Sequence, residues 1–193
     1  GEYSAPGAEA CTPCLFGHFC DSTGISAEVM GRDKRCPAGL HCPTGTDHVP
    51  VSPADDCPLG NFCPEGAGAE PRDPYPVPCP PGLFANETGH PVCDPCPRGT
   101  YCLEGATDPT GLCAPGYYCP INPTRSAEEP CPGGTYMPTS GAQQVSDCLT
   151  CPAGSICPPG TSDPLLPASI APVGYYSDAG QAIPTPCPPG RFG

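Results

Sequence analysis

The sequence has no tryptophan and few large apolar side chains, because Leu, Ile, Val and Phe together make up only 26 of its 193 residues. That share is about 13%, well below what an ordinary globular domain uses to build its core. A single domain with a large hydrophobic centre is therefore excluded, and so is a cytosolic enzyme of the usual type.

Basic residues are scarce as well. Seven Lys and Arg face 20 Asp and Glu, which gives a formal net charge of −13 and argues against nucleic acid or an anionic membrane surface as a partner. The longest apolar stretch, 165–173, is interrupted by two prolines and is much shorter than the roughly 18 residues of a membrane span. No membrane insertion is expected within this segment.

What the chain does contain is 34 Pro, 25 Gly and 18 Cys. So much Pro and Gly alone would favour disorder. An even number of cysteines at about 9% of the chain instead indicates a scaffold in which disulfides replace the core, and such scaffolds form in oxidising compartments. We therefore expect a secreted or extracellular cell-surface location.

An internal repeat organises the cysteines. Ten segments follow all or part of the frame C-x2-G-x2-C, whose positions we number 1 to 7; they begin at residues 14, 36, 57, 79, 96, 113, 131, 151, 171 and 187. Position 4 is Gly in all ten, and position 6 is Phe or Tyr in eight. The glycine predicts a tight turn with positive φ, and the ring predicts a small core packed over the adjacent disulfide.

The exceptions to the frame suggest the cysteine pairing. Frames with both cysteines favour a bond between positions 1 and 7, and the frame at 171 lacks both together. The frames at 79 and 131 lack the second cysteine, and each is followed by an additional one. The predicted pairs are Cys14–Cys20, Cys36–Cys42, Cys57–Cys63, Cys79–Cys93, Cys96–Cys102, Cys113–Cys119, Cys131–Cys148 and Cys151–Cys157. Sequence alone does not prove this connectivity.

This pairing divides the chain into units. In order they are the closing half of a long cysteine-rich unit at 11–20, short units at 36–42 and 57–63 with Pro-rich linkers, a long unit at 79–102, a short unit at 113–119, a long unit at 131–157, a degenerate cysteine-free unit at 171–177 and the opening half of a further unit at 187–193. The predicted fold class is small disulfide-rich repeats. They form an extended rod-like array of turns and short β-hairpins with very little helix, in which each unit touches only its neighbours.

Two cysteines remain, and we expect each to form a disulfide with a neighbouring repeat. Cys11 resembles the closing half of a long unit, and Cys187 opens a unit without a closing half. One hypothesis is that the segment is a period of a longer array, with Gly193 running directly into another Gly1. The alternative is a fragment flanked by different units.

The sequence offers no catalytic residue, no cofactor site and no metal site. The three C-x2-C pairs have no matching second pair or histidines for zinc, and acids, serines and histidines do not recur in a fixed constellation. Asn86 begins an N-x-T sequon and is a candidate for N-glycosylation. The linkers rich in Pro, Ser and Thr suit extended segments and O-glycans; they span 44–53, 71–78, 158–172 and 183–189.

The pattern C-P-x-G-x-[FY]…C-x2-C-P-x-G-x-[YF]-C resembles the cysteine-rich repeats of the ephrin-receptor type. Such repeats recur in very large surface proteins of algae and ciliates, including flagellar-hair (mastigoneme) proteins, and the tumour-necrosis-factor-receptor modules are more distantly similar. The resemblance implies a structural extracellular glycoprotein, a segment of a filament or cell-surface hair that self-associates or continues as a tandem array and carries covalent glycans. The alternative is a receptor or adhesin ectodomain that binds a protein ligand.

Overall fold

The structure is a computed structural model that describes residues 1–29, 34–66 and 76–191. Its contacts divide the chain into two compact units, Gly1–Asp94 with Glu104–Asp108 and Pro95–Leu103 with Pro109–Gly193. The last two residues of the predicted unit 187–193, residues 71–75 of the predicted linker 71–78, and the position-6 ring of Phe192 lie outside the described residues. The same backbone pattern repeats within each unit.

Each frame folds into a tight turn around its glycine. In all ten frames the amide of position 5 donates to the carbonyl of position 2 at 3.0–3.3 Å. The glycine at position 4 has φ between +72° and +87°, as the third residue of a type II β-turn requires. The prediction that this glycine supplies a positive φ is confirmed.

The two residues after each turn, at positions 5 and 6, start a short antiparallel hairpin. They pair with the two residues that immediately precede position 1 of the next frame, as in Thr100↔Leu112 and Tyr101↔Gly111. Three frames keep this register as single bridges, at His18↔Arg35, Leu40↔Asp56 and Ser155↔Ile170. The frame therefore sets the register of the hairpin as well as the turn.

Among the described residues, the regular structure consists mainly of seven such two-stranded sheets, which confirms the predicted fold of small disulfide-rich hairpin repeats with very little helix. The pairs are β1 (Glu2–Tyr3) with β2 (Thr12–Pro13), β3 (Asn61–Phe62) with β4 (Val77–Pro78), β5 (Leu83–Phe84) with β6 (Asp94–Pro95), β7 (Thr100–Tyr101) with β8 (Gly111–Leu112), β9 (Tyr117–Tyr118) with β10 (Glu129–Pro130), β11 (Thr135–Tyr136) with β12 (Leu149–Thr150), and β13 (Tyr175–Tyr176) with β14 (Thr185–Pro186). Short 3-10 helices lie at Val145–Asp147 and Pro167–Ser169, and one helical turn at 27–29.

Disulfides form the buried centre of the repeats. The structure has eight of them, with Cα atoms 5.8–6.0 Å apart, and they join the same eight pairs that the sequence analysis predicts. The bonded cysteines at positions 1 and 7 are at most 3% exposed. Disulfides in this number indicate that the chain folds in an oxidising environment, as secreted proteins do.

Candidate functional site: the interface between repeats

Successive frames are joined by backbone hydrogen bonds that recur in one register. The first pair of bonds involves the turn glycine at position 4. Where two successive frames lie in one unit and are described, its amide donates to the carbonyl of position 7 in the next frame at 2.7–3.0 Å, and its carbonyl accepts from the amide of position 1 in that frame. Gly99 shows both bonds, to Cys119 O and from Cys113 N, each at 2.9 Å.

The second pair of bonds depends on a glycine that the sequence analysis missed. Nine or ten residues after position 1 stands another glycine with positive φ, which we call the second glycine: Gly24, Gly45, Gly66, Gly89, Gly105, Gly141, Gly160 and Gly180. From Gly45 onward its amide donates to the carbonyl of position 1 in the preceding frame at 2.8–2.9 Å. The residue after it accepts from position 7 of that frame, as Thr46 O does from Cys20 N at 2.9 Å.

Asn122 occupies the second-glycine position of the frame at 113. It has φ +51° and is the non-glycine residue with positive φ among the residues that the structure describes. Asparagine is the usual substitute for glycine in the left-handed region. The regular spacing of this position was visible in the sequence and could have revealed the second glycine.

Turn glycines also contact the next frame but one. A Cβ atom added to Gly99 would lie 2.5 Å from the carbonyl oxygen of Gly141, two frames along. Gly39 stands in the same relation to Gly89, and Gly116 to Gly160. The prediction that each unit touches only its neighbours is therefore wrong, because bare glycine backbones let the chain approach closely enough for a frame to reach the second one beyond it.

The cysteine-free frame at 171 keeps the interface. Ala171 N donates to Gly154 O at 3.0 Å, and Ser177 O accepts from Gly154 N at 2.8 Å. Ser177 replaces cysteine at position 7, is buried, and its hydroxyl donates to Ser155 O at 2.6 Å. The inter-frame bonds therefore form without a disulfide in the frame.

The aromatic position of the frame lies at the edge of the buried centre. Phe19 is buried, the rings from Phe62 to Tyr136 are half-buried, and Tyr176 is 41% exposed. The Tyr101 ring lies over Gly111, its partner across the hairpin, so closely that a Cβ atom there would lie 3.0 Å from Cε1. The Tyr101 ring thus covers its own hairpin, whereas the cystines fill the centre of the repeats.

Asn86, the glycosylation candidate, is exposed in the loop between β5 and β6 that the Cys79–Cys93 disulfide closes. The hydroxyl of Thr88, the third residue of the sequon, donates to Asp56 Oδ2 at 3.0 Å. This bond holds the side chain of Thr88, while the side chain of Asn86 stays exposed to solvent.

Cys11 and Cys187 carry free thiols in the structure, with Cys11 exposed and Cys187 half-buried. Their predicted bonds to neighbouring repeats stay predictions. Each lies where its sequence pattern puts it, Cys11 immediately before β2 and Cys187 immediately after β14.

A cluster of titrating side chains surrounds His48. Its Nδ1 lies 3.2 Å from Asp47 Oδ1 and its Nε2 lies 3.1 Å from Asp55 Oδ2. Two hydrogen bonds raise the pKa of His48, of which the bond to Asp47 contributes more and the bond to Asp55 less. The amide of Val51, with a smaller contribution from His48, lowers the pKa of Asp55. Burial lowers the pKa of His41 nearby.

The described parts of the chain contain neither a cluster suited to a metal ion nor a membrane-spanning helix. Across 1–29, 34–66 and 76–191, His, Cys, Asp and Glu form no group of three suited to a metal ion. Among these same residues, no helix has the length and apolar character needed to cross a membrane. The chain matches no model of a known protein family, and no curated protein matches it.

Proposed function

We propose that the chain is a structural, non-enzymatic segment of an extracellular filament or cell-surface hair. The observation that carries the proposal is the set of four backbone hydrogen bonds that recurs from frame to frame. Such an interface needs a glycine at position 4 and a glycine or asparagine at the second-glycine position, but no particular side chain elsewhere. Further frames can therefore be added in the same register, as in other tandem-repeat proteins.

Exposed side chains give such an array surfaces for lateral contacts and glycans. Large apolar residues are strongly exposed along the stretch from Leu165 to Ile183, and Val173 reaches 98%. Where exposed apolar side chains form a contiguous patch, they commonly mark a contact surface. Asn86 offers a separate attachment point for a glycan.

Immunoelectron microscopy of the native source tests the filament proposal. Antibodies against this 193-residue chain should label filaments or surface hairs at intervals along their length. Labelling confined to a cell membrane, with no filament present, would overturn the proposal.

The exposed stretch from Leu165 to Ile183 also favours the alternative, a receptor or adhesin that binds a protein ligand. Sedimentation velocity at increasing concentration separates the two functions. A filament segment should self-associate, and Val173→Asp should weaken its association. The matched control Ile121→Asp alters a residue that is 61% exposed and lies outside that stretch. A monomer at all concentrations that binds a cell-surface protein through Val173 would favour the receptor.

A further inference from the structure

The first four residues carry the signature of a frame without its cysteines. Gly1, Glu2, Tyr3 and Ser4 would occupy positions 4 to 7, with glycine at position 4 and an aromatic residue at position 6. Gly7 then falls nine residues after position 1, where the second glycine belongs, and its φ is +77°.

The hairpin of this segment has the register of a frame. Glu2 pairs with Pro13 and Tyr3 with Thr12, the two residues that precede Cys14. Positions 5 and 6 of six other frames pair in the same way with the two residues before the next position 1. The hairpin therefore relates these residues to the frame at 14 as one frame to the next.

Two inter-frame hydrogen bonds agree. Cys14 N donates to Gly1 O at 2.8 Å, the bond that every later position 1 makes to a turn glycine in the same unit. Ser4 N donates to Ile25 O at 3.1 Å, and Ile25 follows the second glycine Gly24. Tyr3 lies against the buried cluster of Cys14, Cys20 and Ile25.

We infer that Gly1–Ser4 form the second half of an eleventh frame, and that the third residue before Gly1 is a cysteine bonded to Cys11. The pairing follows from the two frames that have a cysteine at position 1, none at position 7 and a C-x2-C pair after them, those with Ala85 and Met137. In both, the first cysteine bonds to the opening member of the next C-x2-C pair, as in Cys79–Cys93 and Cys131–Cys148. The frame at 171, with Ser177 at position 7, lacks a first cysteine, and no C-x2-C pair follows it. Cys11 opens such a pair with Cys14.

The surroundings of Cys11 suit this partner. Gly1, Cys11 and Cys20 line one open cleft of about 400 Å³, so Cys11 and the backbone of Gly1 border the same space. The new bond would close a loop with a sequence separation of 13, similar to the 14 and 17 of its two counterparts. When this bond forms, the two thiols give up two protons and two electrons to the disulfide of an oxidising protein. That disulfide is thereby reduced to a dithiol.

This inference replaces the hypothesis that Gly193 runs directly into another Gly1. That junction would make Arg191 the third residue before Gly1, where the register requires cysteine. The inference concerns the register of the frames and does not depend on whether the chain forms filaments.

Peptide mapping of the native protein tests the inference. Free thiols are alkylated first, and the unreduced protein is then digested with a protease that cleaves after glutamate. This digestion releases Ala10–Glu28, which contains Cys11, and separates it from a peptide that ends in Gly1-Glu2. The two should appear as one linked species, four hydrogen atoms lighter than the sum of the reduced peptides because Cys14–Cys20 is bonded as well, and sequencing should place cysteine three residues before Gly1.

The same digest contains a matched control. Cys79 and Cys93 should link the peptide Gly66–Glu87 to Thr88–Glu104, because the bond between Glu70 and Pro71 resists cleavage. With that control in place, each of three results would overturn the inference: an alkylated Cys11, a bond from Cys11 to Cys187 or another cysteine, or anything other than cysteine three residues before Gly1.

Discussion

Gly99→Ala should loosen the interface between frames, and Gly174→Ala provides its matched control. Both glycines are at position 4, with φ of +79° and +86°. Alanine in this region is strained by about 1–2 kcal/mol, and both variants carry this strain. A Cβ atom on Gly99 would also lie 2.5 Å from Gly141 O, whereas one on Gly174 meets nothing within 4 Å. Overpacking against a fixed backbone adds about 1–3 kcal/mol, and only Gly99→Ala incurs it.

Amide hydrogen exchange measures this difference locally, which suits a repeat array whose unfolding need not be two-state. The reporter is the Gly141 amide, which donates to Cys113 O at 2.9 Å. In Gly99→Ala it should exchange roughly 5- to 150-fold faster than in the parent chain, since about 1.4 kcal/mol corresponds to a factor of ten. In Gly174→Ala it should exchange nearly as in the parent. Equal acceleration in both variants would refute the proposed contact between frames two apart.

Three further outcomes are expected. Asn122→Ala should lower the free energy of unfolding by about 1 kcal/mol, because alanine tolerates a φ of +51° less well than asparagine. Asn122→Gly should not lower it. Thermal unfolding followed by circular dichroism compares the two variants, and identical melting temperatures would contradict the role of this position. Ser177→Ala should destabilise by about 1 kcal/mol in urea titration, because it removes the buried hydrogen bond to Ser155 O; an unchanged midpoint would count against that bond. The His48 ring should titrate in NMR with a midpoint above 6.5, and Asp47→Asn should lower it. Because the folded pKa is raised, the stabilisation from protonated His48 is present below pH 6.5 and is lost as the pH rises through that raised pKa. If the His48 midpoint were the same with and without Asp47→Asn, this cause would be disproved.

The turn, the hairpin class and the predicted cysteine pairs could be found in the sequence because they are local. A loop from position 1 to position 7 contains its own glycine and both its cysteines, so the spacing alone indicates the geometry. Cys79–Cys93 was accessible for a related reason, since the missing cysteine at position 7 and the additional one before Cys96 compensate for each other.

The interface between frames was harder to predict, because its residues act on partners in other frames. The second glycine lies either nine or ten residues after position 1, and its function appears only when its amide meets the preceding frame. The contact between Gly99 and Gly141 was harder still to predict, because these two residues belong to frames that lie two apart in the sequence. Gly1–Ser4 could not be recognised from the sequence because only positions 4 to 7 of the frame are present and they include no cysteine.

Two kinds of interaction stabilise the chain, disulfides and backbone hydrogen bonds, and they act at different places in the repeats. Every disulfide described here closes a loop within one repeat, and backbone hydrogen bonds join one repeat to the next. The frame at 171 shows that these bonds form without a cystine in the frame. If tension were applied to such an array, the interfaces would open while the cross-linked loops stayed closed at a Cα separation of 5.9 Å, as for Cys96–Cys102. Each opening would then release at most the stretch between loops, which spans about 36–40 Å from Cys102 to Cys113 at full extension. A chain so short on apolar side chains can in this way resist extension in small steps, because its covalent loops limit how much length each broken interface gives up.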